Sequence, residues 1–289
     1  MQPPAQTMLE WSQMSVENKD AIRALVKASV ESFAVSFNGR HKGELANPNG
    51  TLNMKIHNVF IAALGPELQY YTALVRSLDS SLGNMLELLA VNIASLSYEV
   101  HKNVEGPMSA AQTQIIAELL EKYKRHEIKP TIADYIKLRN KPPTNGAIVR
   151  RHDSDYYLID RATGRHHLIE LKIGGDLDNK KARSEKEAIL EQYAILSNTL
   201  DDNADIEIHF ATAYNRFGED QPWRQERVRQ FFAEGELMIG KEFWNFVTKM
   251  DNGYQIVLES YKENVDRIKE ALDSIKQLYL GGDREPHTL

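Results

Sequence analysis

The stretch Ser154–Lys172, SDYYLIDRATGRHHLIELK, decides how this chain is read. Tyr156, Tyr157, Leu158 and Ile159 form a run of β-favouring residues, and His166 to Ile173 alternates its side chains between two faces; Ala162, Thr163, Gly164 and Arg165 between them supply a turn. The segment predicts a β-hairpin. With those four residues as the loop, Asp155 stands opposite Lys172 and beside Glu170 on one face of the ladder. Asp160, next to the turn, falls on the other face and is set aside. Asp153 has the parity of Asp155 but lies at the frayed start of the strand, and remains a weaker alternative.

Two carboxylates and one backbone carbonyl, that of Leu171, are the hard oxygen ligands that Mg²⁺ prefers, and they leave positions open for water and a phosphate oxygen. Lys172 beside them can orient an attacking water and offset charge on a phosphate in its transition state. The competing reading is a solvent-facing hairpin on which Glu170 and Lys172 are ordinary surface charges. Leu168, Ile169, Leu171 and Ile173 weigh against it, because so apolar a strand rarely buries a Glu and a Lys unless they are paired or functional.

Asp155, Glu170 and Lys172 resemble the signature of the PD-(D/E)XK nuclease superfamily. The segments SLDSSLGNMLE (Ser77–Glu87), ELKIGGDLDNKKA (Glu170–Ala182), TAYNRFG (Thr212–Gly218) and MIGKEFWNF (Met238–Phe246) resemble type II restriction endonucleases of the TdeIII-like group. The resemblance covers about residues 70 to 260. The catalytic motif belongs to a very wide superfamily, whereas GKEFW and the Gly-Asn-x-x-Glu helix are more particular. Ser154 stands where the superfamily's name has proline, a position that varies widely within it. The resemblance implies Mg²⁺-dependent cleavage of double-stranded DNA at a short palindrome, GGNCC in that group. A palindrome read by a compact protein implies a homodimer.

Composition is compatible with this. A chain of 289 residues is long enough for one large domain or two small ones. The expectation is a single nuclease domain: residues 1–66 a helical N-terminal extension, 67–250 the catalytic core, 251–289 a C-terminal helix. There is no cysteine, which excludes thiolate metal sites and fits a reducing cytoplasm. Glu10, Glu17, Lys19 and Asp20 interrupt any apolar run near the N-terminus, and no apolar stretch is long enough for a span, so neither a signal peptide nor a membrane segment is expected.

The net charge of −6 looks wrong for a DNA binder, but a sum over the chain hides where charge sits. From Glu121 to Arg151 nine basic residues face three acids, and this basic segment runs directly into Asp155, where a phosphate backbone would have to lie. Arg150 and Arg151 are the DNA-contact candidates within it. A solvated helix face is an equal reading for the part before Pro130.

Along the chain, an amphipathic helix is predicted over Val16–Phe37, stopping near Asn38-Gly39. A second runs from Glu67 to Glu99, a break falls at Gly106-Pro107, and a third helix spans Ser109–His126. Ala147–Arg151 reads as the first strand. After the hairpin come a helix over Arg183–Leu200, a strand over Ile206–Tyr214, and a long last helix over Tyr254–Leu280. The expected fold class is α/β with a restriction-endonuclease-like core, that is helix, three-stranded antiparallel meander, helix, strand, with additional N- and C-terminal helices. Those terminal helices, with apolar stripes longer than one core needs, are expected to carry the dimer contact.

In the helix before the meander, Leu78, Leu82, Met85, Leu86, Leu89 and Ile93 form one apolar stripe, and Ser80, Gly83, Ala90 and Ala94 a small-residue stripe with Glu87 at its centre. Both faces read as buried, and Glu87 is expected to point toward the metal site; a pairing with Arg76 is the alternative. Lys180 and Lys181 are candidates for holding the phosphates flanking the scissile one, and Gln192 for facing the site. Asn215, Arg216 and Arg224, in and after the loop that leaves the last core strand, are candidates for the DNA groove, where Arg is the usual reader of guanine. His166 and His167 point to opposite faces and cannot both ligate one ion, so no histidine zinc site is expected from them.

Overall fold

The computed structural model describes residues 5–47, 58–139, 147–174 and 177–280; of residues 5–16, 45, 66 and 155 it describes the backbone alone. Its elements are α1 (Ala5–Ala46), α2 (Pro66–Ala94), β1 (Tyr98–Met108), α3 (Ala110–Lys124), β2 (Ile148–Asp160), β3 (His166–Lys172), α4 (Asn179–Thr199), β4 (Ile206–Thr212), β5 (Leu237–Ile239), α5 (Lys241–Thr248), α6 (Gly253–Asn264) and α7 (Asp266–Leu280), with single helical turns between some of them. The chain forms two compact units, residues 1–89 with 256–289, and residues 90–255. It is a mixed α/β protein.

In the first unit, Ile22, Val26, Val30, Phe33 and Phe37 recur at helical spacing and are buried, as are Ile268, Ala271, Ile275 and Tyr279 of α7, against which α1 packs. The apolar stripes expected to carry a dimer contact are thus turned toward each other within one chain. Contrary to expectation, α1 does not stop at Asn38-Gly39. Buried His41, one turn further, joins Tyr279 Oη through Nδ1 (2.9 Å) and Ser77 Oγ through Nε2 (3.1 Å), and these contacts override the poor helix propensity of Gly39. The single last helix is in fact two, broken at Val265. There the Asn264 side chain turns back to donate to the Ser260 carbonyl (2.7 Å).

In the second unit the five strands lie in the order β1-β2-β3-β4-β5. β1, β2 and β3 are successively antiparallel, and β3, β4 and β5 are parallel. α4 is the crossover that a parallel β3–β4 pair requires. One face of the sheet, with Val104, Tyr157, Leu168, Ile208 and Phe210, is covered by α3 and α4 through Ile116, Leu120, Ile189, Leu190 and Tyr193. On the other face Tyr156 and His167 meet Phe243 and Phe246 of α5.

The meander is not built from the strands read in the sequence. Ala147–Arg151 and the hairpin's first arm are one 13-residue strand, β2, and the third antiparallel partner is β1, which had been split between a helix end and a break. Gly106 and Pro107 lie inside β1, paired with Arg150 and Val149. Proline is tolerated because β1 is an edge strand. Gly106 is required because α4 lies on it: a Cβ there would sit 2.6 Å from Thr199 Cγ2 and 2.8 Å from Ile195 Cγ2.

The hairpin forms as expected, but its turn is Arg161–Gly164, one residue early. Asp160 causes this. Its backbone N–H donates to the Arg165 carbonyl (2.9 Å) and its Oδ1 accepts from the N–H groups of Ala162 (2.9 Å) and Thr163 (3.4 Å). The register therefore pairs Tyr156 with Ile169 and Tyr157 with Leu168. Counted on by one residue, the position opposite Asp155 is Glu170 and not Lys172. Against β1, pairing jumps from His101↔Tyr157 to Asn103↔Asp153, so Ser154, Asp155 and Tyr156 span a single residue of the edge strand. The backbone of Asp155 thus lies at a bulge in β2.

Candidate active site

Glu170 and Lys172 alternate with Leu171 and share the face of Leu168, at the carboxyl end of β3, where open α/β sheets bind ligands. Across the ladder their positions match Phe210 and Thr212 of β4, both fully buried. Glu170 is itself only 9% exposed. Its charge is met by Lys172, whose Nζ contacts Glu170 Oε1 and also lies 3.2 Å from Oε1 of Glu185. Two carboxylates around one amine offset the cost that either would incur if buried alone.

Glu185 comes from α4. Asp178 caps that helix, its Oδ1 accepting the Lys181 N–H at 2.8 Å, and Ala182, Lys186, Ile189, Leu190 and Tyr193 are the buried positions that lay it on the sheet. Glu185 lies one turn beyond Ala182 on the same side, which brings it over the end of β3. Gln192, two turns further, is 3% exposed, and its Oε1 has no hydrogen-bond partner among the described residues. The carboxylates of Glu170 and Glu185 converge on the Lys172 amine, and carboxylate oxygens are of the kind a hard divalent cation takes. For Asp155 the backbone places the residue at the register position beside this group. Glu87 is half-buried in α2, within the first unit, and Gly83 before it is buried.

The basic candidates divide. Arg150 Nη1 is 2.6 Å from Oε1 of Glu191 in α4, whose Oε2 lies 2.8 Å from His152 Nε2, so much of the Arg150 charge is met within the protein. Arg151, Lys180 and Lys181 are exposed. Earlier in the basic segment, Lys124 and Arg125 pair with Glu121 on an exposed helix face, Lys137 pairs with Asp134, and Arg139 clamps Tyr193 Oη and the carbonyls of Asp202 and Ala204.

After β4, Asn215 is buried and organises its own loop: Nδ2 donates to the Gln221 carbonyl (2.7 Å) and Oδ1 accepts from the Phe217 N–H (3.0 Å). Arg216 and Arg224 are exposed and line, with Phe217, Gln225, Glu226 and Arg227, a cleft of about 400 Å³. The GKEFW segment bolts this region down. Gly240 has φ +55° and a Cβ there would lie 2.7 Å from the Glu219 carboxylate, Lys241 N–H donates to Glu219 (3.0 Å), and Trp244 Nε1 donates to the Ala213 carbonyl (2.8 Å).

The sequence does not single out Glu185, the partner of Lys172, Glu191, the partner of Arg150, or Arg227, which lines the cleft with Arg216 and Arg224. The helical spacing of Glu185 from Ala182 and Ile189 was a usable signal; nothing local marked the other two.

A family model described as type II restriction endonuclease, HinfI, matches residues 18–264 of the chain, a span that includes β2, β3, α4 and α5. Comparison with the curated proteins and with the solved structures finds no match.

Proposed function

The chain belongs to the HinfI family of type II restriction endonucleases and is a site-specific deoxyribonuclease, and from that premise we propose that Asp155, Glu170, Lys172 and Glu185 form its centre for Mg²⁺-dependent hydrolysis of duplex DNA. The observation that carries this reading is the Lys172 amine joined to Glu170 on its own strand and to Glu185 on the crossover helix. Asp155, Glu170 and the Leu171 carbonyl would hold the cation, which supplies Lewis acidity at a phosphate oxygen and a more acidic attacking water. The chain's own residues do the rest. Lys172 Nζ orients the water and offsets the charge that builds on the phosphate, and Glu185 holds the amine in place. The buried end of β4 around Phe210 and Thr212 limits access of bulk water.

The sheet order, an antiparallel meander followed by a crossover helix and a parallel strand, supports the PD-(D/E)XK core. Duplex DNA runs past the exposed Arg151, Lys180 and Lys181, and the arginine cleft of Arg216, Arg224 and Arg227 reads bases. The target is a short palindrome, GGNCC on the resemblance to the TdeIII-like group, and the acting species is a cytoplasmic homodimer. Leu68, Tyr71 and Val75, all exposed and spaced by three or four residues on α2, form an apolar stripe suited to a second copy. No helix among the described residues is long and apolar enough to cross a membrane.

Plasmid DNA incubated with the protein tests the proposal. Discrete bands that need Mg²⁺, with ends that sequence to one palindrome, are expected. Cleavage that survives EDTA, or that is undiminished in Lys172→Ala, overturns the assignment of the centre.

A further inference from the structure

On the opposite face of β3 from Glu170, about 10 Å back along the strand, a second group of ligating side chains converges. His167 and Glu207 are partners across the parallel β3–β4 ladder, and His209 follows Glu207 by two residues, so all three stand on one face. His167 Nδ1 lies 3.2 Å from Glu207 Oε2, His209 Nε2 lies 3.3 Å from the same oxygen, and the two nitrogens are 3.4 Å apart. We propose that His167, Glu207 and His209 form a structural site for a borderline-soft divalent transition metal, Zn²⁺ above all, separate from the Mg²⁺ centre.

The triangle has the right size. Ligands about 2.0–2.1 Å from a tetrahedral Zn²⁺ are about 3.3 Å from one another, which is the spacing of all three edges. The donors have the right chemistry, since two imidazoles and one carboxylate favour Zn²⁺ over Mg²⁺, which takes oxygen. They are also held in place. Both histidines are buried, Phe246 packs on each ring (centroids at 4.9 and 5.8 Å), and the Tyr98 ring meets His167 edge-on. Arg165 Nη1 takes the other carboxylate oxygen, Glu207 Oε1, at 3.1 Å, which aims Oε2 at the imidazoles. His209 Nδ1 is buried with no hydrogen-bond partner among the described residues, and the polar contacts of that ring to Glu207 and His167 are made through Nε2, at the triangle. Glu207 is partly exposed, which leaves a side from which water can complete the coordination. An ion there would pin β3 to β4 behind the stretch that carries Glu170 and Lys172.

The competing arrangement is a metal-free triad in which both ring N–H groups donate to one carboxylate oxygen. The full chain, stripped with EDTA and dialysed, separates the two. Titration with Co²⁺ should give the intense visible bands of a four-coordinate ion, saturating at one per chain and bleached by equimolar Zn²⁺. Zn²⁺ at a hundredfold excess over Kd should raise Tm by about 5–10 °C. Both signals should persist in Glu170→Gln and vanish in Glu207→Gln, whose partly exposed position tolerates the change. A wild-type chain that shows only the pale spectrum of hydrated Co²⁺ and no Tm rise with Zn²⁺ overturns the site, as does a signal equally strong in Glu207→Gln.

Discussion

Lys172 Nζ lies 3.2 Å from Glu185 Oε1, so the lysine of the strand motif is shared with a carboxylate thirteen residues later, on another element. The amine therefore has two anchors, and they contribute differently. Lys172→Ala should lower kcat by about 10²–10³-fold while DNA binding persists in gel shift, because charge stabilisation at the phosphate is lost. Glu185→Gln keeps the shape and removes one anchor, and single-turnover cleavage should slow by about tenfold. Full wild-type rates in Glu185→Gln would remove it from the site.

Removing the cation should abolish cleavage without unfolding the chain, since no described element depends on an ion at Glu170. EDTA should stop the reaction and leave far-UV circular dichroism unchanged, and Mg²⁺ should restore activity. In Glu170→Gln, Mg²⁺ should fail to restore it.

The arginine cleft predicts a loss of discrimination. Arg216→Ala and Arg224→Ala should each weaken binding to the cognate site by about 1–3 kcal/mol where the guanidinium contacts a base, and much less on random DNA. Arg151→Ala should weaken both equally and flatten the salt dependence. Binding titrations at several salt concentrations distinguish these outcomes.

Behind the site, Lys186 is fully buried, with Nζ 2.8 and 2.9 Å from the two oxygens of Glu236 and bonded to Tyr135 Oη. Burial pulls the Lys186 ammonium down and pushes the Glu236 carboxyl up to about 8. Ionic or neutral, the pair holds one proton, as it does unfolded near neutral pH, so wild-type stability should not depend on it there. Lys186→Met isolates Glu236. A carboxyl with a raised folded pKa contributes stability below its unfolded value and loses it as pH rises toward about 8. The urea midpoint of Lys186→Met should therefore fall between pH 5 and pH 8, with a cost near pH 8 of about 3–5 kcal/mol, and Lys186→Met with Glu236→Leu should recover most of it. A flat profile for Lys186→Met would falsify this account.

Gly106→Ala places a methyl group against Thr199 and Ile195 of α4 and should cost about 1–3 kcal/mol in urea denaturation. A neutral effect would mean that α4 shifts freely over β1.

Which parts of the site the sequence could show follows from range. Glu170 and Lys172 share a face because strands alternate with period two, and their placement on a hairpin arm needed only the residues between Tyr156 and Lys172. The exact partner of Asp155 differs from the expected Lys172 because Asp160, set aside as a ligand, caps a turn that comes one residue early and so moves the partner by two residues, to Glu170. β1 was overlooked because Gly106 and Pro107 look like a break in isolation; an edge position and a helix packed overhead make both acceptable.

By itself, then, the amino-acid order determined the hairpin, the side on which its acid and amine stand, and the kinship with DNA-cleaving enzymes, since all three reside in short-range periodicity and local motif. Tertiary structure alone decided that Glu185 reaches Lys172, that Arg227 joins Arg216 and Arg224, and that His167 finds Glu207 and His209. Those meetings depend on how a crossover helix lands on the sheet and on which residue of β4 aligns with which residue of β3, and long-range packing sets both.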